Sequence, residues 1–275
     1  MYAFSVPHLG TIWGQGCVGT STWHRSPETE AWKRVRELYG DLSPAPAAVT
    51  SRIVAATEPE TRAAMNDAAV ATCLGTLVEG VQRVERDGFP VLMGDIDAGA
   101  EPVAVQLASR LRGHAERSIV EQGLASRFGD LALDAIATTA LALTAPAEDE
   151  QHVPELPLPI VADNIARHGR TGHLHGIASL FVRHDLDTVF RYFVSRDLPD
   201  FIGGEGLPSV TEADELQDGV TAHLRRVCEK LDLSGHEPLL AEVIDLSPRE
   251  RVRHLSPVMA DGIAQGLDLL GGENA

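Results

Sequence analysis

The chain is short of lysine, cysteine and aromatic residues. Lys33 and Lys230 are its only lysines, and aromatic residues make up 5% of it. Against 23 Lys+Arg stand 40 Asp+Glu, a formal net charge of −17. Nucleic acid and anionic membrane surfaces are polyanions, so this deficit of positive charge argues against both as main partners. The three cysteines, Cys17, Cys73 and Cys228, are odd in number, far apart and never spaced Cys-x-x-Cys. That spacing indicates neither a disulfide framework nor a structural zinc site, and reduced, mostly buried thiols are expected. No apolar run approaches the ~20 residues of a membrane span. The longest Ala/Leu-rich run, 131–147, contains Asp134 and several threonines and reads as a buried helix. The N-terminus lacks a basic region followed by an apolar stretch, so no signal peptide and a cytoplasmic location are expected. Also absent are Gly-x-Ser-x-Gly, His-Glu-x-x-His, the kinase motifs and the Glu-x-x-His of di-iron bundles.

What is present is helical patterning. With 275 residues and 44% hydrophobic content, the chain can bury one large core or two small ones. Ser26-Pro27-Glu28 has the order of a helix start, and that helix should stop at Gly40. Ser43-Pro44 opens a second helix. Thr57-Glu58-Pro59-Glu60 reads as a capping box ahead of a long helix, in which Leu74, Leu77, Val78, Val81 and Val84 form one apolar stripe. Residues 89–97 have the composition of a short strand or a loop, and helical pattern resumes over about 101–127 and 130–144. From Ala145 to Pro159 come four prolines and four acids, which cannot sustain a helix and read as a linker. Beyond it, Asp185, Thr211, Ser247-Pro248 and Ser256-Pro257 are expected helix starts, and Leu216, Val220, Leu224, Val227 and Leu231 share a face. The expectation is an all-α, multi-helix fold in two helical halves, 1–144 and 160–275, joined by the Pro-rich linker 145–159.

Four of the eleven histidines fall between His168 and His184. Imidazole changes charge near neutral pH and binds metals when neutral, so this stretch is the first candidate for chemistry. In extended backbone, His173 and His175 point the same way and can share a metal. In a helix they diverge by about 200°, and His173, Ile177, Leu180 and His184 form one stripe instead. The plainer reading of each is a capping or core histidine. His223 lies on the apolar face of its helix and is the long-range candidate to join the group. Asp185 can orient the His184 imidazole or raise its pKa, or simply cap a helix. Gly203, Gly204 and Gly206 form a loop able to approach a bound anion or carbonyl closely, or to serve as a turn. Arg183, Arg191 and Arg196 lie near enough to bind a substrate carboxylate. Asp95 and Asp97 are spaced for a cation if extended.

Two short stretches resemble known families. The Leu-Pro-Leu-Pro segment followed by His175-Gly176-Ile-Ala-Ser-Leu180-Phe181 is similar, over about ten residues, to the all-helical 2-haloacid dehalogenases, which imply a helical tandem repeat. That family activates water with an aspartate in this segment, where this chain has Leu180. His184 followed by Gly203-Gly204 is similar to the helical haem dioxygenases of tryptophan, with a different spacing.

The leading expectation is a small-molecule enzyme of bacterial secondary metabolism, an oxidoreductase with iron or haem as cofactor. His173, His175 and His223 are its metal ligands, His184 and Asp185 its catalytic pair, and Gly203, Gly204 and Gly206 its cofactor loop. The alternatives are a metal-free hydrolase of the helical dehalogenase type, using Asp163 or Asp185 with a histidine, and a non-enzymatic helical interaction protein. A homodimer is compatible with all three.

Overall fold

A computed structural model of the chain describes residues 29–41, 44–64, 67–90, 101–144 and 156–272, the side chains of 58–64 excepted. Among the described residues there are ten α-helices: α1 (Glu30–Gly40), α2 (Pro46–Ala64), α3 (Ala68–Asp87), α4 (Val103–Gln122), α5 (Arg127–Thr144), α6 (Leu158–His168), α7 (Leu174–Asp197), α8 (Val210–Cys228), α9 (Glu237–Ala241) and α10 (Pro248–Gly272). Extended pairing among them is limited to one bridge, between Ile202 and Leu207. The fold class is all-α.

Several helix starts follow from the local chemistry. Thr29 accepts the N–H of Trp32 and opens α1, whose apolar residues Trp32, Val35 and Tyr39 are buried at helical spacing. Ser247 and Glu250 form the expected capping box of α10. The stripe Leu74, Leu77, Val78, Val81 and Val84 is buried along α3.

Other expected starts are corrected. Thr57 does not cap a helix; it lies inside α2, where its hydroxyl donates to the Ile53 carbonyl at 2.7 Å. A threonine satisfied by the preceding turn is tolerated in a helix interior. The cap is Asp67, which accepts the N–H groups of Ala69 and Val70. Ser256-Pro257 is likewise interior to α10, with the Ser256 hydroxyl on the Val252 carbonyl. Ser209, not Thr211, caps α8. Asp185 caps nothing, because it sits in the middle of α7. The helix α6 begins at Leu158, inside the expected linker, with Pro159 in its first turn where a missing N–H costs nothing. Ser26, Ser43, Asp95, Asp97 and residues 145–155 lie outside the described residues.

The helix α7 is the central element. It packs against α5 most extensively, and also against α8, α10 and α3. Phe181, Phe190 and Phe193 are fully enclosed. A helix covered on several sides carries little one-sided apolar pattern, and its polar residues are then forced inward. The helix α10 approaches it at Gly262, where a Cβ would lie 2.9 Å from Val182, and at Gly266, where it would overlap Leu186. It also packs on α2 and α3, so one contiguous apolar core spans residues on both sides of 145–155.

Candidate functional site between α7 and α8

The start of α7 settles the geometry of the histidine pair. Helix begins at Leu174, with His173 exposed at the capping position and His175 in the first turn. The two imidazoles therefore diverge. The His175 ring Nδ1 lies 2.9 Å from Glu237 Oε2, and that oxygen also accepts the His175 backbone N–H at 2.8 Å. The other Glu237 oxygen accepts the N–H groups of Gly172 and Leu174. A carboxylate from α9 thus caps α7, a favourable place for negative charge. Partial burial works against its ionisation, but the hydrogen bonds from His175, Gly172 and Leu174 outweigh it and hold its pKa below the ordinary glutamate value.

His223 is buried on α8, its Nδ1 3.0 Å from Arg226 Nη2. Among the described residues no group of three or more His, Cys, Asp or Glu side chains is placed to hold a metal ion. His173, His175 and His223 therefore do not form the expected ligand set. The reason is the helical period at 173–175 together with the separate engagements of His175 and His223.

The middle of α7 carries the unusual chemistry. His184, Asp185 and Asp187 are all at least 95% buried. His184 and Asp187, three apart, share a face, which Arg191 extends. Arg191 Nη2 is 3.0 Å from Asp187 Oδ2, and Arg225 Nη2 reaches the same oxygen from α8 at 3.5 Å. Asp187 Oδ1 and both ring nitrogens of His184 have no hydrogen-bond partner. Burial, then the guanidiniums of Arg183, Arg225 and Arg191, push the His184 pKa down to about 3. The imidazole is therefore neutral at physiological pH, offering one N–H and one lone pair. Cys228, at the end of α8, feels Arg183 and Asp187, but burial dominates and raises its pKa to about 12. It stays a thiol.

Asp185 faces a different seam, about 100° round the helix from His184. Its charged neighbour is Asp67 at the start of α3, and it also acts on Cys73. Burial, then Asp67, raises its carboxyl pKa to about 7. The expected His184–Asp185 pair is therefore split between two helix interfaces. Asp187 and Arg225 take the positions beside His184 instead. Asp187 was legible as an acid three residues from His184; Arg225 had no signal, since the register of α7 on α8 is tertiary.

The glycine loop is a tight turn. Gly203 takes φ +91°, and its N–H donates to the Leu207 carbonyl at 2.8 Å. The Gly204 N–H donates to the Phe201 carbonyl at 3.1 Å. A Cβ on Gly206 would overlap the carbonyls of Tyr39 and Asp41 at the end of α1. Gly206 fastens the α7–α8 connection to the end of α1, and the N–H groups of Gly203 and Gly204 are engaged within the loop.

Beside the buried His184 and Asp187, the Arg191 and Arg225 side chains are 46% and 40% exposed. No family model, no curated protein and no solved structure matches the chain.

Proposed function

We propose that the protein is a metal-independent small-molecule hydrolase in which His184 activates water at the α7–α8 seam. The observation that carries this reading is a buried imidazole, 5% exposed, with neither nitrogen hydrogen-bonded. An unsatisfied buried polar group costs about 1–3 kcal/mol, and such groups concentrate where function requires them. In the reaction, the negative charge of a bound substrate offsets the arginine field and raises the basicity of His184, which then accepts a proton as the water oxygen bonds to the electrophilic carbon. The bond to the leaving group breaks, and the proton passes to that group. Arg191 and Arg225 hold the Asp187 carboxylate at the mouth of the seam and fix its walls.

The test is hydrolysis of a panel of small esters, amides and 2-haloacids by the wild-type protein, His184→Gln and Asp185→Asn, with and without chelator. His184→Gln is expected to lower kcat about a hundredfold or more, while chelator changes nothing. Asp185→Asn is expected to keep most of the activity. Hydrolysis that survives His184→Gln, or that chelator abolishes, contradicts the reading.

A further inference from the structure

We propose that the α7–α8 seam binds a small anion, a carboxylate or a phosphate, held by Arg191 and Arg225 with His184 as the hydrogen-bonding floor. The inference rests on the seam assigned above and adds the class of ligand it takes. Three guanidiniums, of Arg183, Arg191 and Arg225, act on His184, whereas among the described residues Asp187 is the carboxylate shown paired with the two rim arginines. The local sign of charge is thus opposite to that of a chain carrying −17. A planar guanidinium presents paired N–H groups that match the oxygens of carboxylate and phosphate. The Arg191 and Arg225 side chains are 46% and 40% exposed, so an anion meets them from solvent, and it reaches the buried His184 ring as these side chains swing aside.

The floor of the seam is prepared for the same ligand. The neutral His184 ring has an N–H to give and no acceptor for it. Asp187 Oδ1 also lacks a partner, so this carboxylate is held only through Oδ2. Asp187 occupies the arginines as a bound anion would. An arriving carboxylate or phosphate shares the guanidiniums with it and accepts the His184 N–H. Its negative charge offsets the arginine field, so binding favours protonation of His184. A cluster serving only to join two helices has no reason to respond to a free anion.

Replacing Asp187 by asparagine removes the internal competitor. Thermal unfolding of Asp187→Asn is compared in sodium acetate, sodium phosphate and sodium chloride at matched ionic strength. Acetate or phosphate is expected to raise the Tm of Asp187→Asn above the chloride value by more than it raises that of the Asp187→Asn/Arg225→Gln double variant, which reports the general salt effect, and the anion showing this excess identifies the ligand as carboxylate or phosphate. The same anion is expected to move the His184 ring nitrogen resonances of the wild-type protein, and Arg225→Gln to weaken that response about tenfold or more. If Asp187→Asn does not fold, the wild-type titration at His184 decides alone. Equal stability in the three salts with unmoved His184 resonances overturns the inference. Hydrolysis that needs His184 but shows no anion response overturns this inference and leaves the hydrolase. Anion binding without hydrolysis of any substrate supports it and removes the hydrolase.

Discussion

Asp185 is a carboxyl that the fold holds near the middle of the physiological pH range. Its pKa of about 7 lies above the ordinary value of 3.8, because burial and then Asp67 disfavour the charged form. The native state therefore binds more protons than the unfolded chain between these two values. Its contribution to stability is fully present below pH 3.8 and is lost as pH rises through 7. His184 acts in the opposite direction over its own window. Its folded pKa of about 3 lies below 6.5, so stability falls as pH drops from 6.5 toward 3. Asp185→Asn removes the alkaline loss, and urea unfolding at pH 8 should show the variant more stable than wild type by roughly 1–3 kcal/mol. Equal stability at pH 8 would place an undetected partner on Asp185. At this scale the sequence was informative about residue type and silent about direction. The density of histidines drew attention to α7, but His184 and Asp185, adjacent in sequence, face different seams.

At the scale of elements, α7 depends on a cap that comes from another helix. Its own residue at the capping position, His173, makes no side-chain cap, and Glu237 of α9 bonds three backbone N–H groups there. Losing a helix cap costs about 0.5–2 kcal/mol. Glu237→Ala should lose an amount in this range near neutral pH, and progressively less as pH falls from 4.5, where the unfolded carboxylate takes up its proton, through the lower folded value. Equal destabilisation at pH 7 and pH 3 would show that the side chain acts by packing and not by charge. No pattern in the sequence pairs residues 172–175 with residue 237, because an acid at a helix start normally serves its own helix. Local caps were legible where one side chain sufficed, as at Ser247 and Glu250. They misled where proline followed serine or threonine within a continuing helix, as at Thr57 and Ser256. In both, the hydroxyl turns back to a carbonyl four residues earlier.

At the scale of the whole molecule, the all-α class was legible because apolar residues recur at helical spacing through most of the chain. The arrangement around α7 was not, since a central helix must bury several faces and so blurs its own pattern. That centrality also accounts for the site. Polar residues on a helix covered by α3, α5, α8 and α10 enter interfaces between helices, and at the interface with α8 the arginines Arg191 and Arg225 stay partly exposed. The seam is thus a consequence of packing, and His184 is the residue on which the proposed chemistry rests. The most direct test of this account is the pH titration of the His184 ring by nitrogen NMR in the wild-type protein. A neutral ring from pH 8 down to pH 5 is the result expected for a buried imidazole among three arginines. A midpoint near the ordinary histidine value of 6.5 would contradict it, and with it the assignment of the α7–α8 seam as the site.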